Sequence, residues 1–169
     1  MSTEVTVAAV AMNVAHDKEA NLAKYFRFID QAADQGARLI VFPEQSLQGY
    51  VYGVDHQFTD DEIAYHHRNA ETIPGASTDR LVAKARERNI YIVFGLTEVR
   101  QTAFSPLLYN SAATVGPEGV LGVFAKVHLP GDERHIFRRG DSWPVVTTPL
   151  GRLGVLICYD QMFPESTRE

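Results

Sequence analysis

The chain has 169 residues, 45% of them apolar and 22% charged, which is enough for one domain with a sizeable core and an ordinary globular surface. A net charge of -5, with acids and bases interleaved, argues against a nucleic-acid partner, which favours a basic face. The single cysteine, Cys158, excludes an intramolecular disulfide and a Cys-rich zinc site.

The first residues lack the basic and apolar regions of a signal peptide. No apolar run approaches the ~20 residues of a membrane span. A cytoplasmic protein with no membrane partner is the expectation.

Val5 to Met12 reads as an opening strand. Asp17 offers a helix N-cap, Leu22, Tyr25, Phe26, Ile29 and Ala33 follow at helical spacing, and Gly36 suits the C-terminal cap. Arg38 to Phe42 is a second strand, so the order predicts parallel strands with a helical crossover. Pro43 stops it and Glu44 follows. Residues 45 to 60 have the composition of a loop, and loops at strand C-termini carry sites in α/β proteins. Asp60 to Asn69 reads as a short helix whose adjacent His66 and His67 diverge, a poor metal pair expected at the surface.

Beyond the Pro74-Gly75 turn, Ser77 can cap a helix running to about Arg88. Ile90 to Leu96 is a strand. Leu108 to Val115 and Val120 to Ala125 flank Gly116-Pro-Glu-Gly119 as a hairpin. Lys126 ends its second arm. Residues 127 to 144 read as a polar loop holding His128, Glu133 and His135. The basic cluster Arg134-His-Ile-Phe-Arg-Arg139 in it reads as solvated surface, or as a binder of an anionic substrate group. Val145 to Thr148 is a short strand.

Arg152 to Cys158 is predicted as a strand buried on both faces, and Pro164 suits the first turn of a helix. That helix reaches Glu169 before completing two turns, too short to persist without packing. The expectation is the first part of a longer protein, or a small domain whose edge another chain covers. The whole chain, 1-169, reads as one domain, an α/β layered fold with a mixed sheet.

A thiol between a buried strand and a helix has the setting of a nucleophile elbow, and a helix N-terminus favours thiolate. Taken alone, the segment reads first as a place for a small buried hydrophobe. Glu44, Lys126 and Glu133, at strand ends and in a loop, each have a plain surface explanation.

Together the segments Val-Phe-Pro-Glu44, Lys126-Val-His-Leu-Pro-Gly-Asp-Glu133-Arg-His-Ile-Phe-Arg-Arg-Gly140-Asp and Gly-Val-Leu-Ile-Cys158-Tyr-Asp-Gln-Met-Phe-Pro-Glu165 resemble, in order and spacing, the nitrilase or carbon-nitrogen hydrolase superfamily. The resemblance runs over essentially the whole chain. It implies a four-layer α-β-β-α sandwich, incomplete here at its C-terminal end, and subunits that pair through helices into a homo-oligomer. It also implies a Glu-Lys-Cys triad with a second glutamate, carried to Glu44, Lys126, Cys158 and Glu133, and no metal or organic cofactor.

Those roles make chemical sense. An amide is a poor electrophile, and a thioester intermediate replaces one hard step by two easier ones. Glu44 would take the thiol proton, pass it to the leaving amine and then activate water. Lys126 and the Tyr159 backbone N–H would stabilise the oxyanion. Glu133, with Asp132 beside it, would hold Lys126. Cys-Tyr-Asp resembles the amidase and carbamoylase branches, whereas the nitrilase branch usually has Trp-Glu after the cysteine. The substrate expected is therefore a small amide or N-carbamoyl compound. Tyr50, Tyr52 and His128 either line its pocket or pack the loops. Competing readings are a glutaminase module feeding a synthetase, a silent module that binds a partner, and, last, a redox sensor, for which the chain has no resolving cysteine.

Overall fold

A computed structural model describes residues 4–50, 59–131 and 133–169. Its strands are β1 (Val7–Ala9), β2 (Leu39–Val41), β3 (Tyr91–Arg100), β4 (Leu107–Gly116), β5 (Gly119–Ala125), β6 (Val145–Thr148) and β7 (Gly151–Gly154). Its helices are α1 (Lys18–Asp34), α2 (Asp60–Asn69), α3 (Ala76–Arg88), α4 (Glu133–Ile136) and α5 (Pro164–Arg168), with a 3-10 helix at Cys158–Met162.

β1 to β5 form one sheet in sequence order. β1, β2 and β3 are parallel, and β3, β4 and β5 antiparallel, the mixed sheet that the crossover-then-hairpin pattern predicts. The pleat sends alternate residues to two cores. Ile40, Ile92 and Phe94 meet Leu22, Tyr25 and Ile29 of α1 and Leu81 and Ala85 of α3. Leu39, Tyr91, Val93 and Phe124 face the other way, toward Leu153, Ile157 and Trp143. Helices, five-stranded sheet and the separate β6–β7 sheet therefore stack in that order. Burial on both faces is what makes the central strands continuous apolar runs.

Asp17 caps α1, its Oδ1 accepting from Ala20 N at 3.0 Å, and Gly36 takes φ 82 beyond the helix end. Ser77 does not cap α3. Gly75 stands at that position, and the Ser77 hydroxyl donates to Glu71 at 2.7 Å instead. His66 is not at the surface but fully buried. A Thr59–Glu62 capping box fixes the start of α2, and that phase turns His66 inward onto Thr97 Oγ1 at 2.8 Å.

The Arg152–Cys158 run is not one doubly buried strand. β7 ends at Gly154 because its ladder partner β6 begins at Val145, and residues 155–157 continue with one apolar side on the sheet core. The expected polar loop after β5 contains α4 and the buried Phe137. Among the described residues no helix is long and apolar enough to cross a membrane.

Candidate active site

β2 carries the chain into Glu44. Phe42 still donates to Val93 O of β3 at 2.8 Å, Pro43 ends the ladder, and Gln45 takes a left-handed φ of 50 as the chain turns. The turn lies on β3, with Leu47 N donating to Gly95 O at 3.1 Å. A Cβ on Gly95 would stand 2.4 Å from Gln45 N, so only glycine lets the turn close. Glu44 is held with its side chain 14% exposed.

Lys126 follows β5, its N–H bonded to Asn110 O of β4 at 2.8 Å and its side chain fully buried. Its Nζ donates to Glu44 Oε1 at 2.6 Å and to Glu133 Oε1 and Oε2 at 3.1 and 3.0 Å. The first residue of α4 supplies Glu133, whose carbonyl accepts from Phe137 N at 2.8 Å. Gly140 N returns to Lys126 O at 2.8 Å and closes the segment on the sheet.

Burial alone would lower the Lys126 pKa, but the Glu44 and Glu133 carboxylates raise it above its ordinary value, so the ammonium stays charged. Burial pushes the Glu133 carboxyl up, with the Glu44 charge adding to it, against the opposing pull of Lys126.

Cys158 opens the 3-10 helix with a left-handed φ of 47. Buried Asp160 braces that turn. Its N–H donates to Ile157 O at 3.0 Å, and its Oδ2 accepts from Ile157 N at 3.3 Å. Asp160 Oδ1 accepts from His128 N at 2.8 Å and lies 2.9 Å from His128 Nδ1, tying the cysteine turn to the chain after Lys126. Cys158 and Glu44 line one cavity of about 300 Å³, with Phe42, Gly95, Ile157 and Gln161.

The thiol is not biased toward thiolate, as the helix N-terminus had suggested. Partial burial and the adjacent Glu44 carboxylate, through both charge and hydrogen bond, raise its pKa, and Lys126 offsets this only in part. A 3-10 helix of five residues supplies too little dipole to compete. The resting pair is thiol beside carboxylate, the arrangement a general base requires.

The structure thus brings Glu44, Lys126, Glu133 and Cys158 into one site. Tyr159 follows in the first turn of the 3-10 helix, whose earliest amides have no partner inside it. His128 stacks on Phe163 at 3.8 Å and lines a neighbouring cavity rather than the one holding Cys158. Tyr50 is half-buried at the end of the Glu44 turn, its carbonyl 3.4 Å from His16 Nε2, and Tyr52 and Asp132 lie outside the described residues.

Sequence reasoning missed two residues. Asp160 is one. The other is Asn110, fully buried on β4, whose Nδ2 donates to Glu44 Oε1 at 2.7 Å. The signal for Asn110 was an amide in the middle of a strand, opposite Thr97. With Asn110 and Lys126 both on Oε1, the other carboxylate oxygen of Glu44 is left for the thiol.

Known proteins extend this picture. The chain is 37% identical to a nitrilase of Pyrococcus abyssi over 97% of its length, and 32% identical to an omega-amidase of Homo sapiens over 96%. It spans 59% and 58% of those relatives. An amidase from Nesterenkonia sp. superposes with a TM-score of 0.74 at 27% identity, covering 97% of this chain and 59% of that one. A variant of the Nesterenkonia sp. AN1 amidase has been solved with the acetamide moiety of fluoroacetamide added covalently at its active site cysteine. The carbon-nitrogen hydrolase family model matches residues 6–169, and the chain belongs to that family.

Proposed function

We propose that this chain carries the acylation machinery of a hydrolase that opens the C–N bond of a small amide or N-carbamoyl compound through a cysteine thioester. The observation that supports this most directly is the charge relay at Lys126 Nζ, 2.6 Å from Glu44 and 3.0 Å from Glu133, with Glu44 and Cys158 in one cavity.

Glu44 takes the proton from Cys158 Sγ as sulfur attacks the carbonyl carbon. The new oxyanion is met by the Lys126 ammonium and the Tyr159 N–H. Glu44 then gives that proton to the leaving nitrogen, the C–N bond breaks, and ammonia departs from a thioester. A water deprotonated by Glu44 attacks the thioester, and Sγ leaves and regains the proton. Glu133 keeps Lys126 aimed and charged throughout. A nitrile substrate would use the same thiol, but the Tyr159-Asp160 pair after the cysteine favours the amide reading over the nitrilase relatives' chemistry.

Intact-mass spectrometry after mixing with a primary amide tests the reading. The expected result is a transient acyl adduct on Cys158, absent from Cys158→Ala, and no ammonia release from Glu44→Gln, which lacks the base that both acylation and deacylation need. An unmodified chain with every amide, N-carbamoyl and nitrile substrate, together with no ammonia release, would leave the silent-module reading standing instead.

A further inference from the structure

We propose that Tyr25, a residue of α1 that touches no reacting atom, is a positioning residue for the Glu44 base, acting through Ser46 on the turn that carries the carboxylate. Its effect on turnover rests on the hydrolase reading above, whereas its effect on the Cys158 thiol does not.

Tyr25 is fully buried and grips the chain on both sides of Glu44. Its ring stacks on Phe42, two residues before Glu44, with centroids 3.9 Å apart, and meets the edge of Phe94 at 6.2 Å. Its hydroxyl lies 2.7 Å from Ser46 Oγ, two residues after Glu44, and 3.5 Å from Gly95 O. The direction of the bond to Ser46 follows from counting protons. Ser46 Oγ donates its one proton to Pro43 O, because a carbonyl only accepts, so Tyr25 is the donor to Ser46. Burial raises the Tyr25 pKa, and the Ser46 bond offsets this only in part, so the phenol keeps the proton it donates.

This series of bonds ends on the carbonyl of the planar peptide that joins Pro43 to Glu44, and so fixes the plane from which the Glu44 side chain leaves. Pro43 O also accepts from Ser46 N at 3.3 Å. One turn earlier on the same face of α1, buried Asn21 donates through Nδ2 to Leu47 O at 3.1 Å, so the helix holds the turn at two points. The turn needs holding. Gln45 stands at φ 50, a left-handed conformation that a non-glycine residue keeps only where its surroundings over-determine it. Glu44 in turn tolerates little displacement, because its Oε1 meets both Lys126 at 2.6 Å and Asn110 at 2.7 Å.

A phenylalanine at position 25 would fill the same space and stack on Phe42 equally well. The hydroxyl is the part that packing does not require, and burying one is costly unless a partner takes it. Its partners among the described residues are Ser46, in the turn, and Gly95, the residue over which the turn closes.

The test reads, in the full chain, the pH at which iodoacetamide labelling of Cys158 inflects. Tyr25→Phe removes one oxygen and keeps the ring. Its inflection should move down, part of the way toward that of Glu44→Gln, because a carboxylate that strays no longer holds the thiol up. In a Glu44→Gln background the same substitution should move nothing. Ser46→Ala should behave as Tyr25→Phe does, and replaces it in the series if that variant does not fold. Ile29→Val, a buried loss of comparable size on the same helix, should leave the inflection where the parent has it. Steady-state ammonia release from an amide is the second readout. There kcat should fall roughly two- to tenfold with KM unchanged, the loss that one neutral hydrogen bond implies. An inflection that Tyr25→Phe and Ser46→Ala leave unmoved overturns the proposal. So does an equal shift in the Glu44→Gln background or in Ile29→Val, or a full kcat for Tyr25→Phe where the parent is active. A parent chain that turns over no amide is a failure of the hydrolase reading instead, and the labelling series then decides on Tyr25 alone.

Discussion

At the scale of the residue, the site depends on how two carboxylates share one buried ammonium. Glu44 and Glu133 both lean on Lys126, and burial of the thiol together with the Glu44 carboxylate beside it holds Cys158 above its ordinary value, with Lys126 offsetting this only in part. The rate of iodoacetamide labelling should therefore inflect at a pH higher than the ~8.5 of a free thiol. In Glu44→Gln, which removes the raising charge, that inflection should move down. Equal inflections in the two proteins would show that Glu44 does not act on the sulfur. Asn110 makes a second case. Its removal in Asn110→Ala strips one of the two donors from Glu44 Oε1, a charged hydrogen bond worth ~1.5–3 kcal/mol. The expected cost is roughly 10- to 100-fold in kcat with the substrate's KM little changed, read by steady-state ammonia release. The four side chains gathered at the candidate site were legible in the sequence because they fall in short motifs in a fixed order. Asn110 and Asp160 were not, since an amide in a strand and an acid in a turn have too many ordinary uses to stand out.

At the scale of the element, what matters is how strand ends are held against one another. The Glu44 turn closes over Gly95 of β3, and a methyl there would meet Gln45 N at 2.4 Å, Pro43 O at 2.7 Å and Glu44 C at 2.9 Å, all backbone atoms that cannot rotate away. Gly95→Ala should lower stability by about 1–3 kcal/mol, the cost of overpacking, and lift Glu44 off Lys126. The urea midpoint measures the first effect. The second is measured by whether labelling of Cys158 loses its dependence on Glu44. A Gly95→Ala protein with the parent's midpoint and labelling profile would mean the turn is looser than its packing indicates. The alternation of helix and strand was readable because β2 and β3 are buried on both faces and so appear as unbroken apolar runs. The stretch before Cys158 reads the same way in sequence, yet only Gly151–Gly154 is laddered, because an apolar run reports a demand for cover and says nothing of whether a neighbouring strand meets it.

At the scale of the whole molecule, buried His66 joins three parts that the sequence left separate. It sits on α2, hydrogen-bonds Thr97 of β3 at 2.8 Å and meets the edge of Phe137, the residue after α4, at 6.2 Å. Sequence placed it at the surface because a polar helix with two adjacent histidines has no distinct apolar stripe to set its phase. Burial, with the nearby His16 adding to it, drops the His66 pKa from 6.5 to about 4, against a smaller upward pull from Glu62. A histidine whose folded pKa lies below its unfolded one is protonated first in the unfolded chain, so acid favours unfolding. The stability it contributes is complete above pH 6.5 and is lost progressively as pH falls toward 4, by about 3 kcal/mol over the window. Urea midpoints across that range should fall steeply for the parent chain and more gently for His66→Gln, which keeps a hydrogen-bonding group but cannot titrate. The comparison rests on the slope, so it is independent of whatever the substitution costs at neutral pH, and parallel slopes would mean that His66 is solvated in solution.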